Sequence, residues 1–121
     1  MAINDRDNQL LEKIVQYCEE IEHAHREYNC SFQSFCSSPT YRNAVALCLM
    51  QIGELTNKLS EGFKEAHPEI PWRAIRGMRN VVAHEYGSID KETVWETAEN
   101  GTQELKDFCK KELDSPVKRN F

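Results

Sequence analysis

Apolar residues return every three or four positions along the first quarter of the chain: Leu10, Leu11, Ile14, Val15, Cys18, Ile21 and Tyr28. That spacing predicts a long amphipathic helix over residues 5–29, with Asn4 or Asp5 as its cap and Glu12, Lys13, Glu19, Glu20 and Arg26 on the opposite face. The period breaks at "NCSFQSFCSSPT", where Phe32 and Phe35 suggest a short helical turn pinned to the core. Ser38 followed by Pro39 reads as a helix start, a cap and then a proline at the first helical position. The helix expected from about 39 to 60 contains "AVALCLMQIGEL", apolar almost all round, as a central helix covered on several sides would be. Gly53 within it costs roughly 1 kcal/mol relative to alanine, which a close helix crossing would explain. Glu54 beside it needs a cationic partner if it is buried.

"SEGFKEAHPEIP" reads as a connecting loop with Gly62, Pro68 and Pro71. Pro71 opens a helix over about 71–84 that stops near Gly87, and Ser88 or Asp90 caps a last helix over about 90–113. Val94, Trp95, Ala98, Leu105, Phe108 and Cys109 form its apolar side. No segment alternates as a strand does. The expected architecture is all-α: an up-and-down bundle of four main helices plus short helical turns. It forms one domain over residues 1–114, with 115–121 as a frayed or loosely docked tail.

Composition narrows the class. The chain has 121 residues, 40% apolar and 29% charged, enough for one folded domain and too apolar for a disordered one. There is no apolar run of about 18 residues, and "MAINDRDNQL" lacks a signal core, so a cytoplasmic location without membrane contact is expected. The net charge of −5 argues against nucleic-acid binding by overall attraction, so any RNA contact must use a local basic patch. The five cysteines are odd in number and have no Cys-x-x-Cys pair. Cys18, Cys48 and Cys109 fall on apolar stripes and read as small buried thiols rather than zinc ligands. His23 and His25 lie on different faces of the first helix and His67 in a loop, so no metal site and no cofactor are expected.

The local exception is "GMRNVVAHEYGSID", residues 77–90. On a wheel of about 100° per residue, Ala74, Ile75, Met78, Val81 and Val82 form a core stripe. Arg73, Arg76, Asn80 and His84 gather on the opposite face, and Arg79 and Tyr86 share a flank. From 72 to 84 there are three arginines and no acid. Guanidinium groups suit phosphate because their planar fork stays charged and donates in pairs. Histidine moves protons near neutral pH. Cleaving RNA needs little more: a base for the 2′-hydroxyl, an acid for the leaving oxygen, and positive charge for the phosphorane. Bland roles fit the same spacing, with Arg79 as a structural partner of Glu54, His84 as a cation at a helix C-terminus, and Tyr86 as a half-buried aromatic. Arg79 and His84 point about 140° apart on a straight helix. Either the helix loosens before His84 or a second copy of the chain brings such groups together.

"RNVVAHEY" resembles the Arg-x-x-x-x-His-x-Tyr motif of the HEPN superfamily. With the lead-in "IPWRAIRGM" and the upstream "CLMQIGELTNKLS", the chain is similar to the HepT branch, the toxins of HepT–MntA systems. The resemblance implies a HEPN-like bundle that forms homodimers, with the two motif helices lining one cleft. It implies a metal-independent endoribonuclease acting on mRNA or tRNA in a type VII toxin–antitoxin system. Arg79 and His84 are then the catalytic pair, Asn80 supports the site, and Arg73 and Arg76 are candidates for RNA phosphates. Tyr86 is then the residue that an MntA-like nucleotidyltransferase antitoxin modifies with AMP. The alternative is a non-catalytic HEPN nucleotide- or RNA-binding adaptor for a nucleotidyltransferase.

Overall fold

A computed structural model describes residues 5–85 and 91–114, with the backbone alone over 79–85. It is a helical bundle, with no strand among the described residues. The helices are α1 (Asp5–Glu27), α2 (Phe32–Ser37), α3 (Pro39–Lys58), α4 (Glu61–Ala66), α5 (Trp72–Glu85), α6 (Lys91–Glu96) and α7 (Thr102–Leu113). The central helix is α3, which packs against both α1 and α5, and α7 lies against α1. Leu11, Ile14, Cys18 and Ile21 of α1 meet Val45, Leu49 and Ile52 of α3 and Leu105 and Cys109 of α7 in one core. Two ion pairs stitch the rim of the α1–α7 seam. Lys106 Nζ stands 2.8 Å from both carboxylate oxygens of Glu22, and Lys110 pairs with Glu19 at 3.6 Å.

The ends follow local chemistry. Ser38 accepts from the Tyr41 N–H at 3.2 Å and starts α3 as expected. α1 stops at Glu27, two residues earlier than expected, because Asn29 and Cys30 take left-handed φ values of 59° and 48°. The Cys30 N–H then closes the helix on the His25 carbonyl at 2.6 Å. Asparagine tolerates that region, whereas cysteine bears some strain there.

Two expectations are corrected. The segment read as a loop holds α4, six residues long and too short to show a period. Ser60 caps it, accepting from the Phe63 N–H at 3.2 Å. The buried Asp7 of α1 takes the Ser60 N–H at 2.9 Å and its hydroxyl at 2.6 Å. The last helix is also not a single α-helix, because residues Thr97–Gly101 form a π-helical turn between α6 and α7. A π turn widens the backbone ring by one residue and frees a carbonyl for other donors. The Ala98 carbonyl accepts from the Thr102 hydroxyl at 2.6 Å and lies 3.3 Å from His25 Nε2. The expected caps Asn4, Ser88 and Asp90 lie outside the described residues.

The three stripe cysteines are buried thiols. Burial pushes Cys18 up to about 12 and Cys48 up to about 11, and raises Cys109 further. Cys30 is exposed, and Cys36 is half-buried. Native protein treated with a disulfide thiol reagent at pH 8 should therefore release about two equivalents quickly, from Cys30 and Cys36, and the other three only on unfolding. Rapid release of all five would contradict this packing.

Candidate active site

The entrance to α5 is held from several sides. Pro71 precedes it, and the Trp72 indole N–H donates to the carbonyls of His67 at 2.9 Å and Lys64 at 3.1 Å. The Trp72 ring packs on Phe63 of α4 and Phe108 of α7. His67, between α4 and α5, pairs through Nε2 with the buried Glu112 of α7 at 3.3 Å and through Nδ1 with Glu69 at 3.5 Å. Through Ser60, Asp7 ties α4 to α1. The start of the arginine-bearing helix is thus fixed relative to α1, α4 and α7. Sequence reasoning passed over His67. Its visible signal was its place just before "PEIPW", where a chain turning between two short helices needs side-chain bonds to hold it.

Along α5, Arg73 and Arg76 are exposed. Ile75 and Met78 of the expected core stripe are half-buried, but Ala74 is exposed, a correction to that stripe. The backbone remains helical through Glu85, so positions 79, 80 and 84 all ride on one uninterrupted helix. The helix does not loosen before His84. Positions 80 and 84 therefore share the face of Arg73 and Arg76, and position 79 sits about 140° round from position 84. The side chains of Arg79, Asn80 and His84 lie outside the described residues, as does Tyr86 altogether. Glu54, the candidate partner of Arg79, is half-buried on α3, the helix on which α5 packs. Among the described residues no three His, Cys, Asp or Glu side chains converge as a metal site, and no helix there is long and apolar enough to cross a membrane.

Gly77 needs an explanation of its own. A Cβ built on it meets nothing within 4 Å, so nothing described inside the chain requires a glycine there. It stands seven residues before His84, on the same face of the helix.

The model of the HepT-like ribonuclease family matches residues 14–112, which include the whole of α5 and the segment through Tyr86. The chain belongs to the HepT-like ribonuclease family. A relative from Caldanaerobacter subterraneus subsp. tengcongensis, provisionally named an RNase, is 35% identical over 103 residues, 85% of this chain and 90% of its own. Another from Methanocaldococcus jannaschii, also provisionally named an RNase, is 32% identical over 105 residues, 87% of this chain and 82% of its own. A Thermococcus cleftensis protein provisionally named ribonuclease HepT is 35% identical over 96 residues, 79% of this chain and 86% of its own. No solved structure matches the chain. In this HepT-like ribonuclease, Arg73 and Arg76 of α5 stand exposed.

Proposed function

We propose that the chain is the toxin of a type VII toxin–antitoxin pair, a metal-independent endoribonuclease cutting mRNA or tRNA in the cleft of a homodimer. The observation that carries this reading is the unbroken helix α5, with three arginines and no acid from 72 to 84 in a chain of net charge −5. Arg79 would stabilise the charge developing on phosphate, His84 would transfer protons, Asn80 would hold the pair, and Arg73 and Arg76 would bind flanking phosphates. One straight helix separates positions 79 and 84 in azimuth, which favours a site completed by a second copy. Leu47 of α3, 55% exposed beside the exposed Ala44, is an apolar patch suited to that contact.

The reading extends to control. An MntA-like nucleotidyltransferase would place AMP on Tyr86, a bulky anion on the flank that Arg79 shares, blocking the phosphate position and neutralising the arginine. Expression in a cell without that partner tests the core of the proposal. Growth should stop and RNA fragments should end in 2′,3′-cyclic phosphate, with cleavage surviving a chelator. A folded protein that is neither toxic nor cleaving would make it a binding adaptor instead. With the partner co-expressed, mass spectrometry should find AMP on Tyr86, and an inactive complex with unmodified Tyr86 would indicate steric inhibition.

Gly77→Ala gives a separate check. With open space around it and a helical backbone, alanine should raise folding stability by roughly 0.5–1 kcal/mol in urea titration. If RNA or the second subunit approaches closely beside His84, the added methyl should also slow cleavage. A stabilised variant with full activity would show that this face is not closely approached.

A further inference from the structure

A cavity of about 300 Å³ opens between α3, α5 and α7. Native interiors leave few voids larger than a water molecule, and about 300 Å³ is the small end of the range for ligand pockets. Its walls are apolar: Leu49 and Ile52 of α3, Ile75 and Met78 of α5, and Leu105 of α7. The π turn closes one side, where Gly101 presents no side chain. Such turns collect at functional sites. Two acids border the cavity, Glu69 and Glu104, and both are exposed. Glu69 pairs with His67 at 3.5 Å. Glu104 has no ion-pair partner among the described residues.

Given the ribonuclease reading, we propose that this cavity receives one unstacked guanine of the RNA, with the Glu104 carboxylate taking its N1–H and its N2 amino group. A flat base between apolar walls leaves its edge to be satisfied. Here that edge meets a carboxylate, which only accepts. Among the four bases guanine alone presents two adjacent donors, matching the two carboxylate oxygens. Adenine and cytosine present an amino group beside a bare ring nitrogen, which the second oxygen repels. Uracil presents a single N–H between two carbonyls. A carboxylate beside a polyanion is unfavourable unless a donor edge meets it. The rest of the nucleotide has a path out past Ala74, an exposed residue of the cavity lining. Round the helix from Ala74 come Gly77, at about 60°, and Arg73, at about 100°. A Cβ on Gly77 would meet nothing within 4 Å, so the sugar passes over open helix to the exposed Arg73, whose guanidinium holds the phosphate. Ile75 lies about 6 Å along α5 from position 79, so the captured base adjoins the phosphate that is cut.

Methyl-detected NMR of the full chain tests this with the four nucleoside 3′-monophosphates and the inosine one, which lacks the N2 amino group. The guanosine nucleotide should shift the Ile75, Met78 and Leu105 signals and leave that of Leu11, deep in the core, in place. The inosine nucleotide should bind about tenfold more weakly, and the others more weakly still. Glu104→Gln should erase most of the lead of guanosine over inosine, whereas Arg73→Ala should weaken all the nucleotides alike. Wild type should cut RNA oligonucleotides beside guanine, and about tenfold more slowly where inosine replaces it. A folded protein whose three signals no nucleotide moves overturns the proposal, and so does binding that is equal for all of them. If that same protein still cleaves RNA, the pocket fails and the ribonuclease reading stands. Methyl shifts selective for guanosine in a chain that cleaves no RNA keep the pocket and remove the ribonuclease reading instead.

Discussion

Replacing His84 with alanine should lower RNA cleavage about a thousandfold while the protein remains folded. A positioned acid or base contributes roughly 10²–10⁴-fold to a proton-transfer step, and His84 is the one histidine on α5. Its competing role, a cation near a helix C-terminus, is worth about 0.3–1 kcal/mol at an exposed position. Circular dichroism and thermal melting should accordingly show little change, and a small stability effect cannot account for a thousandfold loss. The proposed dimer sharpens the test. If one His84 acts as base and its twin as acid, a heterodimer with one His84→Ala subunit loses most of its activity. Activity near half of wild type would mean that each histidine serves its own site, and would remove the reason for pairing them.

The second large effect concerns a histidine far from that chemistry. His25→Phe should destabilise the fold by about 2–3 kcal/mol in urea titration, with the slope of the transition unchanged. His25 is buried, its Nδ1 stands 2.5 Å from the Tyr41 hydroxyl, and its Nε2 faces the Ala98 carbonyl at 3.3 Å. A carbonyl can only accept, so Nε2 carries a proton toward Ala98, and in the neutral ring Nδ1 then accepts from the Tyr41 hydroxyl. Tyr41 is fully buried, stacked on Tyr28 with ring centres 4.5 Å apart and edge-on to Phe35. Burial pushes its hydroxyl up to about 12, so it stays protonated as that bond requires. Without His25 its O–H has lost its partner, at the desolvation cost of about 1–3 kcal/mol. Adding Tyr41→Phe to His25→Phe should therefore recover roughly 1 kcal/mol, because removing both partners strands neither. If the double variant is weaker than the single by a full additive increment, the bond is not what holds this corner.

His25 also shows where the sequence stops being legible. Its bond to Tyr41 spans sixteen residues and two helices, and no spacing rule announces it. The long helices were readable because α1 and α3 repeat their apolar residues over several turns, and Ser38–Pro39 marks a boundary by its own chemistry. α4 was not, since six residues give no period and Gly62 suggested a loop. The π turn escaped because Val94 before it and Ala98 within it, and then Leu105 and Cys109 after it, each keep a local helical rhythm. At the candidate site, residue types and spacing were plain, and so was the azimuth problem between positions 79 and 84. In the proposed reading the rest of that site belongs to a second copy, and a period within one chain encodes contacts along a helix, not across two chains.

The π turn at Thr97–Gly101 has a consequence for the chain's tolerance of length changes. It holds one residue more than regular α-helix would use over the same span. Deleting a residue there would restore ordinary α-helical hydrogen bonding, and because the wider turn already absorbs that residue's rotation of about 100°, Leu105 and Cys109 would stay in the core and Lys106 beside Glu22. The extra residue is a stored insertion that keeps the second half of the helix in phase with α1. Homologous chains one residue shorter in this stretch should therefore keep the whole seam and differ only in the turn itself, with the Ala98 carbonyl drawn back into a regular helical ladder.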